Sequence, residues 1–296
     1  MSAFEHTPVL VEEVLEQLRP APGRVYADVT VGGAGHARAI LERSAPDGRL
    51  VATDRDPNAL EAAAEVLEEF GDRVMLRKAR LRDLGAVLSS LGIEQVDGIL
   101  ADLGVSSAQL DREDRGFSLA KAGPIDMRMD PSEGETALEL IARSSEQELA
   151  DLIYRYGEEH RSRRIARSVR RAYEEGELES TTDLRRAIHR ATGPRRGRID
   201  PATKTFQALR IALNEELGDL EALLRQLPSI LKMGGVVAVI SFHSLEDRIV
   251  KHAFRDSIEL VPLTKRPIIA SDEERERNPR SRSAKLRAAR RAEAVA

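Results

Sequence analysis

The first third of the chain alternates short apolar β-type runs with helical stretches, and this alternation constrains the fold more than any other feature. RVYADVTV is followed by HARAILERSA, RLVATDRD by PNALEAAAEVLEEF, and VMLRKARL leads on to QVDGILADLGV. Strands separated by helices of this length predict βαβ units and a parallel sheet covered by helices on both faces. At Ser106 the pattern stops. The stretch from Ser106 to Glu135 has no period of 2 or 3.6 and is punctuated by Gly, Pro and Asp, so an irregular connection is expected there. From about Thr136 to Arg190 the chain reads as all-helical, with Thr182 or Asp183 as a cap candidate. A linker, GPRRGRIDPATKT, then precedes a helix expected from Phe206 to about Leu227. MGGVVAVISFHSLEDRIVKHAF resumes the turn, strand and helix pattern, and a basic tail follows. The expected architecture is an α/β domain in two parts, 1–110 and 205–296, interrupted by a mainly helical insertion at 111–204.

The segment Asp28-Val-Thr-Val-Gly32-Gly33-Ala34-Gly35-His36 lies between a strand and a helix, where glycines let backbone turn tightly and approach a ligand. A dinucleotide site prefers G-x-G-x-x-G, but Arg38 stands three residues after Gly35 and would obstruct helix–strand packing and pyrophosphate access. An acid in the first strand followed by a short glycine cluster suits S-adenosylmethionine instead. Asp54, at the end of the second strand, can accept bonds from both ribose hydroxyls. Its competing role, capping the next helix, falls better to Asp56 before Pro57. The fourth strand ends in Asp102-Leu-Gly-Val-Ser-Ser, at the strand end where ligands bind in parallel sheets. Asp102 is therefore the candidate catalytic residue, the alternative being a turn former before Gly104.

Composition narrows the chemistry. The chain has no cysteine, which removes disulfides, Cys-ligated zinc, iron–sulfur clusters and any thiolate nucleophile. Methylation of pyrimidine carbon 5 normally needs a cysteine adding to carbon 6, so that route is disfavoured, and cluster-dependent radical methylation is excluded. Exocyclic amines, ring nitrogens, hydroxyls and carboxylates remain as acceptors, and a carboxylate taking an amine N–H bond is the role open to Asp102. Asp126 and Asp130 lack further ligand spacing, so no metal is expected. The N-terminus carries acids without a basic n-region, and no apolar run approaches the ~18 residues of a membrane span, which points to the cytoplasm.

Net charge is −4, yet 15 Lys/Arg face 8 Asp/Glu from Arg155 to Arg210, and 6 face none from Pro279 to Arg291. These stretches are candidates for phosphate contacts, against the usual reading of a basic helix as a solvated face. Aromatics are 3% of the chain and there is no Trp, so readout of RNA shape is expected over a stacking platform. His243 in SFHSLEDR has serine and acid neighbours but lacks a nucleophile elbow, which argues against a hydrolase and for a role at the rim of an RNA site.

Taken together, the motifs resemble the RsmH (MraW) family, the ribosomal RNA small subunit methyltransferases H. Beyond the cofactor loop they include His6-Thr-Pro-Val-Leu10, Asp54-Arg-Asp-Pro57, Asp102-Leu-Gly-Val-Ser-Ser-Ala-Gln-Leu-Asp111, Arg115-Gly-Phe117, Asp126-Met-Arg-Met-Asp130 and Tyr156-Gly-Glu-Glu159. Pro201 to Ile211, Ser241 to Arg248 and Asn278 to Arg287 complete the set. The resemblance implies an α/β, Rossmann-like S-adenosylmethionine-dependent methyltransferase domain with an inserted all-helical domain for substrate recognition. It implies methylation of N4 of a cytidine in the decoding region of 16S rRNA, within the small ribosomal subunit, with S-adenosylhomocysteine as product; a homodimer is compatible with it. Cofactor contacts carry over to Ala34, Gly35, His36, Asp54, Asp102 and Gln109. The family's contact after the third strand, often aromatic, falls on Leu81, which keeps only backbone or apolar contact. Ala34 and Ala37 replace a common glycine and a common serine. The rivals are a methyltransferase acting on another RNA, a protein or a small molecule, and a non-catalytic assembly factor.

Overall fold

The computed structural model describes residues 8–193 and 200–292. His6 and Thr7 of the N-terminal motif, and Arg195, Arg196 and Arg198, lie outside the described residues. The chain divides into two compact units, Met1–Gly104 with Leu217–Ala296, and Val105–Glu216.

The first is a sheet unit. Its strands are β1 (Val25–Asp28), β2 (Arg49–Asp54), β3 (Val74–Lys78), β4 (Val96–Asp102), β5 (Leu231–Ser241), β6 (Leu260–Pro262) and β7 (Lys285–Arg291), in the order β3-β2-β1-β4-β5-β7-β6. The pairs among β1 to β5 are parallel, and β7 runs antiparallel to both β5 and β6. Alternate side chains enter opposite layers, as the pleat requires. Ala27, Val51, Ile99, Ala101, Val237 and Val239 share one core with Leu220, Leu223 and Leu227 of the helix Glu216–Ile230 and with Leu84 and Leu88. Tyr26, Leu50, Ala52, Leu100 and Ile240 share the other with Val14 and Leu18, Ile40 and Leu41, and Ala63 and Leu67, from three N-terminal helices. A Cβ at Gly98 would lie 2.8 Å from the Tyr26 ring, so the strand needs glycine where that ring crosses it. This doubly covered sheet is an α/β, Rossmann-like fold.

The basic tail is corrected by the structure: Lys285 to Arg291 is β7, an inner strand. Leu286 and Ala289 are buried, and Arg287 is only 9% exposed because Asp247 holds its Nε at 2.7 Å.

The second unit is helical, with no strand among its described residues. The helices Ala137–Arg143, Glu146–Gly157 and Thr181–Thr192 begin with reciprocal capping boxes, Thr136 with Glu139, Ser145 with Glu148 and Ser180 with Asp183. Ser180 thus caps where Thr182 or Asp183 was expected. The long helix expected from Phe206 is two, Thr203–Asn214 and Glu216–Ile230, broken at Glu215 with φ of 53°. Asn214 accounts for the break: it is buried and turned into the irregular segment, accepting from Met129 N at 2.8 Å and donating to Met127 O at 2.8 Å. Phe117, Ile125, Met127 and Met129 of that segment enter the helical core, and Arg115 donates to the carbonyls of Arg128 and Met129. Gln207 donates to the Tyr156 carbonyl and Arg210 pairs with Glu216, so the polar stripe of this helix is held inside the unit.

Candidate active site at the strand ends

In the sheet unit three acids stand at the carboxyl ends of neighbouring strands. Asp28 is level with Ala52 of β2 and Leu100 of β4, Asp54 closes β2 opposite Lys78, and Asp102 closes β4 opposite Ile240. Beyond the strands the chain is tied down by backbone bonds. Val29 N donates to Leu100 O, Val31 N to Thr53 O and Leu103 N to Ile240 O, while Asp102 N donates to Thr30 Oγ1 at 2.6 Å.

Asp54 shows how such a carboxylate is aimed. One oxygen accepts from Gly32 N at 3.0 Å and the other from Asp56 N at 2.9 Å. With Arg55 N–H as a further backbone donor, three N–H groups fix the orientation without exhausting the four lone-pair sites of a carboxylate. Asp56 caps the helix Pro57–Leu67 through Asn58 N, and Asp54 is left for other work.

The glycine turn is differently built than its sequence suggests. Gly32 has φ of 48°, but the second left-handed residue is Ala34, at φ 62°, fully buried. A non-glycine residue there carries strain of about 1 kcal/mol. At Gly35 a Cβ would lie 2.7 Å from Pro8 Cγ, so that position is glycine because the N-terminal segment crosses it. His36 serves the same contact: its Nε2 donates to the Val9 carbonyl at 2.8 Å, leaving Nδ1 3.8 Å from Asp102 Oδ2. Leu81 starts a short 3-10 turn, Leu81–Asp83, packed on the sheet core. Gln109 belongs to the helical unit, where it is buried and its Oε1 accepts from Ser106 N at 3.0 Å in a capping box.

The electrostatics of the strand ends are unusual. Burial pushes the Asp28 carboxyl up to about 7, and the Asp54 charge adds to the shift against the bond from Thr30 N. Burial raises Asp54 to about 6 despite its N–H donors. Burial, then the charges of Asp28 and Glu246, hold Asp102 well above the ordinary carboxylate range. Asp102 Oδ1 is buried and has no hydrogen-bond partner among the described residues. A buried, mutually repelling set of acids is expensive, and a cation among them relieves the cost.

Glu246 was not singled out from sequence, although its spacing from His243 was a usable signal. It accepts from Phe242 N at 2.9 Å, while His243 caps the helix Ser244–Asp256 by accepting from Glu246 N at 3.4 Å. Both side chains are buried. Among the described residues no group of acids and histidines is arranged to hold a metal, and Asp126 is bound instead to Arg128 at 2.7 Å. No helix of the described residues is long and apolar enough to cross a membrane.

The sequence profile of the MraW methylase family matches residues 3–292. The chain is 57% identical over 296 residues to the ribosomal RNA small subunit methyltransferase H of Sorangium cellulosum, covering 99% of this chain and 93% of that one. It is 51% identical over 289 residues to the protein of that name from Nostoc punctiforme, covering 97% and 94%. The counterpart from a Cyanothece species is 50% identical over 292 residues, covering 99% and 96%. A match of this extent, spanning both units, makes the chain a member of the MraW methylase family.

Proposed function

We propose that the protein methylates N4 of a cytidine in the decoding region of small-subunit (16S) rRNA, using S-adenosylmethionine. The observation that carries the reading is the crowd of acids at the ends of β1, β2 and β4 in a chain of this family. The donor has a sulfonium and an ammonium group, and the raised carboxyls of Asp28 and Asp102 fit that charge. Asp54, aimed by its backbone N–H donors, would hold the ribose hydroxyls. The turn Gly32–His36 and Leu81 would line the amino-acid and adenine ends, and Gln109 is proposed as a further contact. Bound there, S-adenosylmethionine supplies an electrophilic methyl group and leaves as S-adenosylhomocysteine.

The protein's own task is to position and desolvate the amine, since displacement at a methyl group needs no covalent intermediate. As the N–C bond forms, the amine sheds one proton. Asp102 Oδ1, buried and without a hydrogen-bond partner among the described residues, is the acceptor we assign to it. Ionised by a neighbouring positive charge, that oxygen first accepts the amine N–H and then takes the proton. The helical unit is assigned to recognition of the RNA, in the small ribosomal subunit and the cytoplasm.

The test is incubation with tritiated S-adenosylmethionine and small ribosomal subunits, followed by digestion of the rRNA to nucleosides. Label is expected in N4-methylcytidine from the decoding region. Label in another nucleoside, or only in protein, would overturn the proposal.

A further inference from the structure

The helical unit carries a group of side chains that the strand-end chemistry leaves unused. The helices Glu146–Gly157 and Ser162–Glu174 meet at a corner, Glu158–Arg161. Tyr154, in the last turn of the first helix, is 57% exposed. Its ring lies 6.3 Å from that of His160, tilted by 60°. Arg155 is exposed with its guanidinium 5.2 Å from the Tyr156 ring. From Tyr154 to Arg164 the chain has four arginines and a histidine against two glutamates.

The arginines of the second helix fall into two groups. Those on its later turns are matched by acids: Arg167 with Glu146, Arg170 with Glu174 and Arg171 with Glu175. Arg163 and Arg164, exposed in the first turn, have no hydrogen-bond or ion-pair partner among the described residues, and no acid stands in that turn. Positive charge at a helix start opposes the helix dipole, so this arrangement contributes nothing to the helix itself. Two unmatched guanidinium groups, three and four residues along the chain from His160 of an exposed, tilted ring pair, combine what holds a nucleic-acid backbone with what stacks on an unpaired base. Aromatic scarcity rules out an extended platform, but one exposed ring is enough for one base.

We infer that the corner from Tyr154 to Arg164 is an RNA-binding surface, with Tyr154 stacking on an unpaired base and Arg163 and Arg164 holding phosphates. The inference rests on the rRNA substrate reading and adds to it the surface that grips the RNA.

Filter binding of a transcribed small-subunit rRNA to the full-length protein, across about 50 to 200 mM salt, tests it. Arg163→Gln with Arg164→Gln is expected to weaken binding roughly tenfold or more and to reduce the slope of log K against log salt by about 2, with the Lys pair restoring the slope. Tyr154→Ala is expected to weaken binding at least about fivefold with the slope unchanged, and Tyr154→Phe to stay near wild type. The side chains are exposed and the two arginine charges oppose the helix dipole, so melting temperatures should not fall. Gln and Ala variants that bind with wild-type affinity and slope would overturn the surface while leaving the substrate reading intact. A wild-type protein that fails to bind the rRNA at low salt would overturn both.

Discussion

Replacing Asp28 with Asn should make the cofactor-free protein more stable at alkaline pH, even though Asp28 belongs to the strand-end site. The side chain is 1% exposed, and burial raises its carboxyl from 3.8 to about 7. At about 1.4 kcal/mol per unit, holding it ionised in the fold costs about 4 kcal/mol above pH 7. Because the folded value lies above the unfolded one, the folded state keeps a proton that the unfolded chain loses between about pH 4 and 7. Stability therefore falls as pH rises through that window and levels off above it. Asparagine keeps an oxygen for Thr30 N, which bonds Asp28 at 3.1 Å, and adds an NH2 group to be desolvated, at a cost of about 1–2 kcal/mol at any pH. The net gain is about 2–3 kcal/mol at pH 8 and close to zero at pH 5, which in a unit of this size raises the melting temperature by about 5–10 °C. Thermal denaturation of both proteins at pH 5, 6, 7 and 8 measures the difference. A difference that does not grow with pH, or an Asn variant less stable at pH 8, would refute the reasoning.

S-adenosylmethionine should bind more tightly as pH rises from about 5.5 to 7.5, because the raised carboxyls must ionise to meet its positive charge. S-adenosylhomocysteine, lacking the sulfonium, should show a shallower dependence in the same calorimetric series. Burial raises the Asp247 carboxyl, but Arg287 and Lys285 more than offset it and hold it below the ordinary range. Its stabilising contribution is thus present at neutral pH and lost as pH falls below the usual carboxylate value, and Asp247→Asn should cost about 1.5–3 kcal/mol in urea denaturation at pH 7. Asn214→Ala should cost about 2–4 kcal/mol and speed proteolysis within 127–135, since it strands Met129 N and Met127 O inside the helical core.

The alternation of apolar runs and helices was sufficient to foresee the sheet, because parallel strands must be buried on both faces and their periodicity shows it. Asp28, Asp54 and Asp102 were legible for the same reason, each being the polar residue that ends an apolar run. β7 was not legible. KLRAARR reads as a solvated tail, and it is a strand only because β5 and β6 flank it and Asp247 neutralises Arg287, contacts that span more than 25 residues of chain. The glycine turn misled in detail for a similar reason: Gly35 answers to Pro8, a tertiary neighbour, and the left-handed conformation falls on Ala34. His243 looked chemical because of its neighbours, whereas its position three residues before Glu246 marks a helix cap. The break at Glu215 depends on Asn214 reaching Met127 and Met129, more than 80 residues away.

Calorimetric titration of S-adenosylmethionine into the wild-type protein and into Asp54→Asn and Asp54→Ala variants addresses the strand-end site most directly. Saturable one-to-one binding is expected for the wild type, weakened at least about tenfold by either substitution, as loss of charge-assisted bonds to two hydroxyls requires. A wild-type protein that takes up no S-adenosylmethionine, or folded variants that bind it as well as the parent, would contradict the assignment of these acids to the methyl donor.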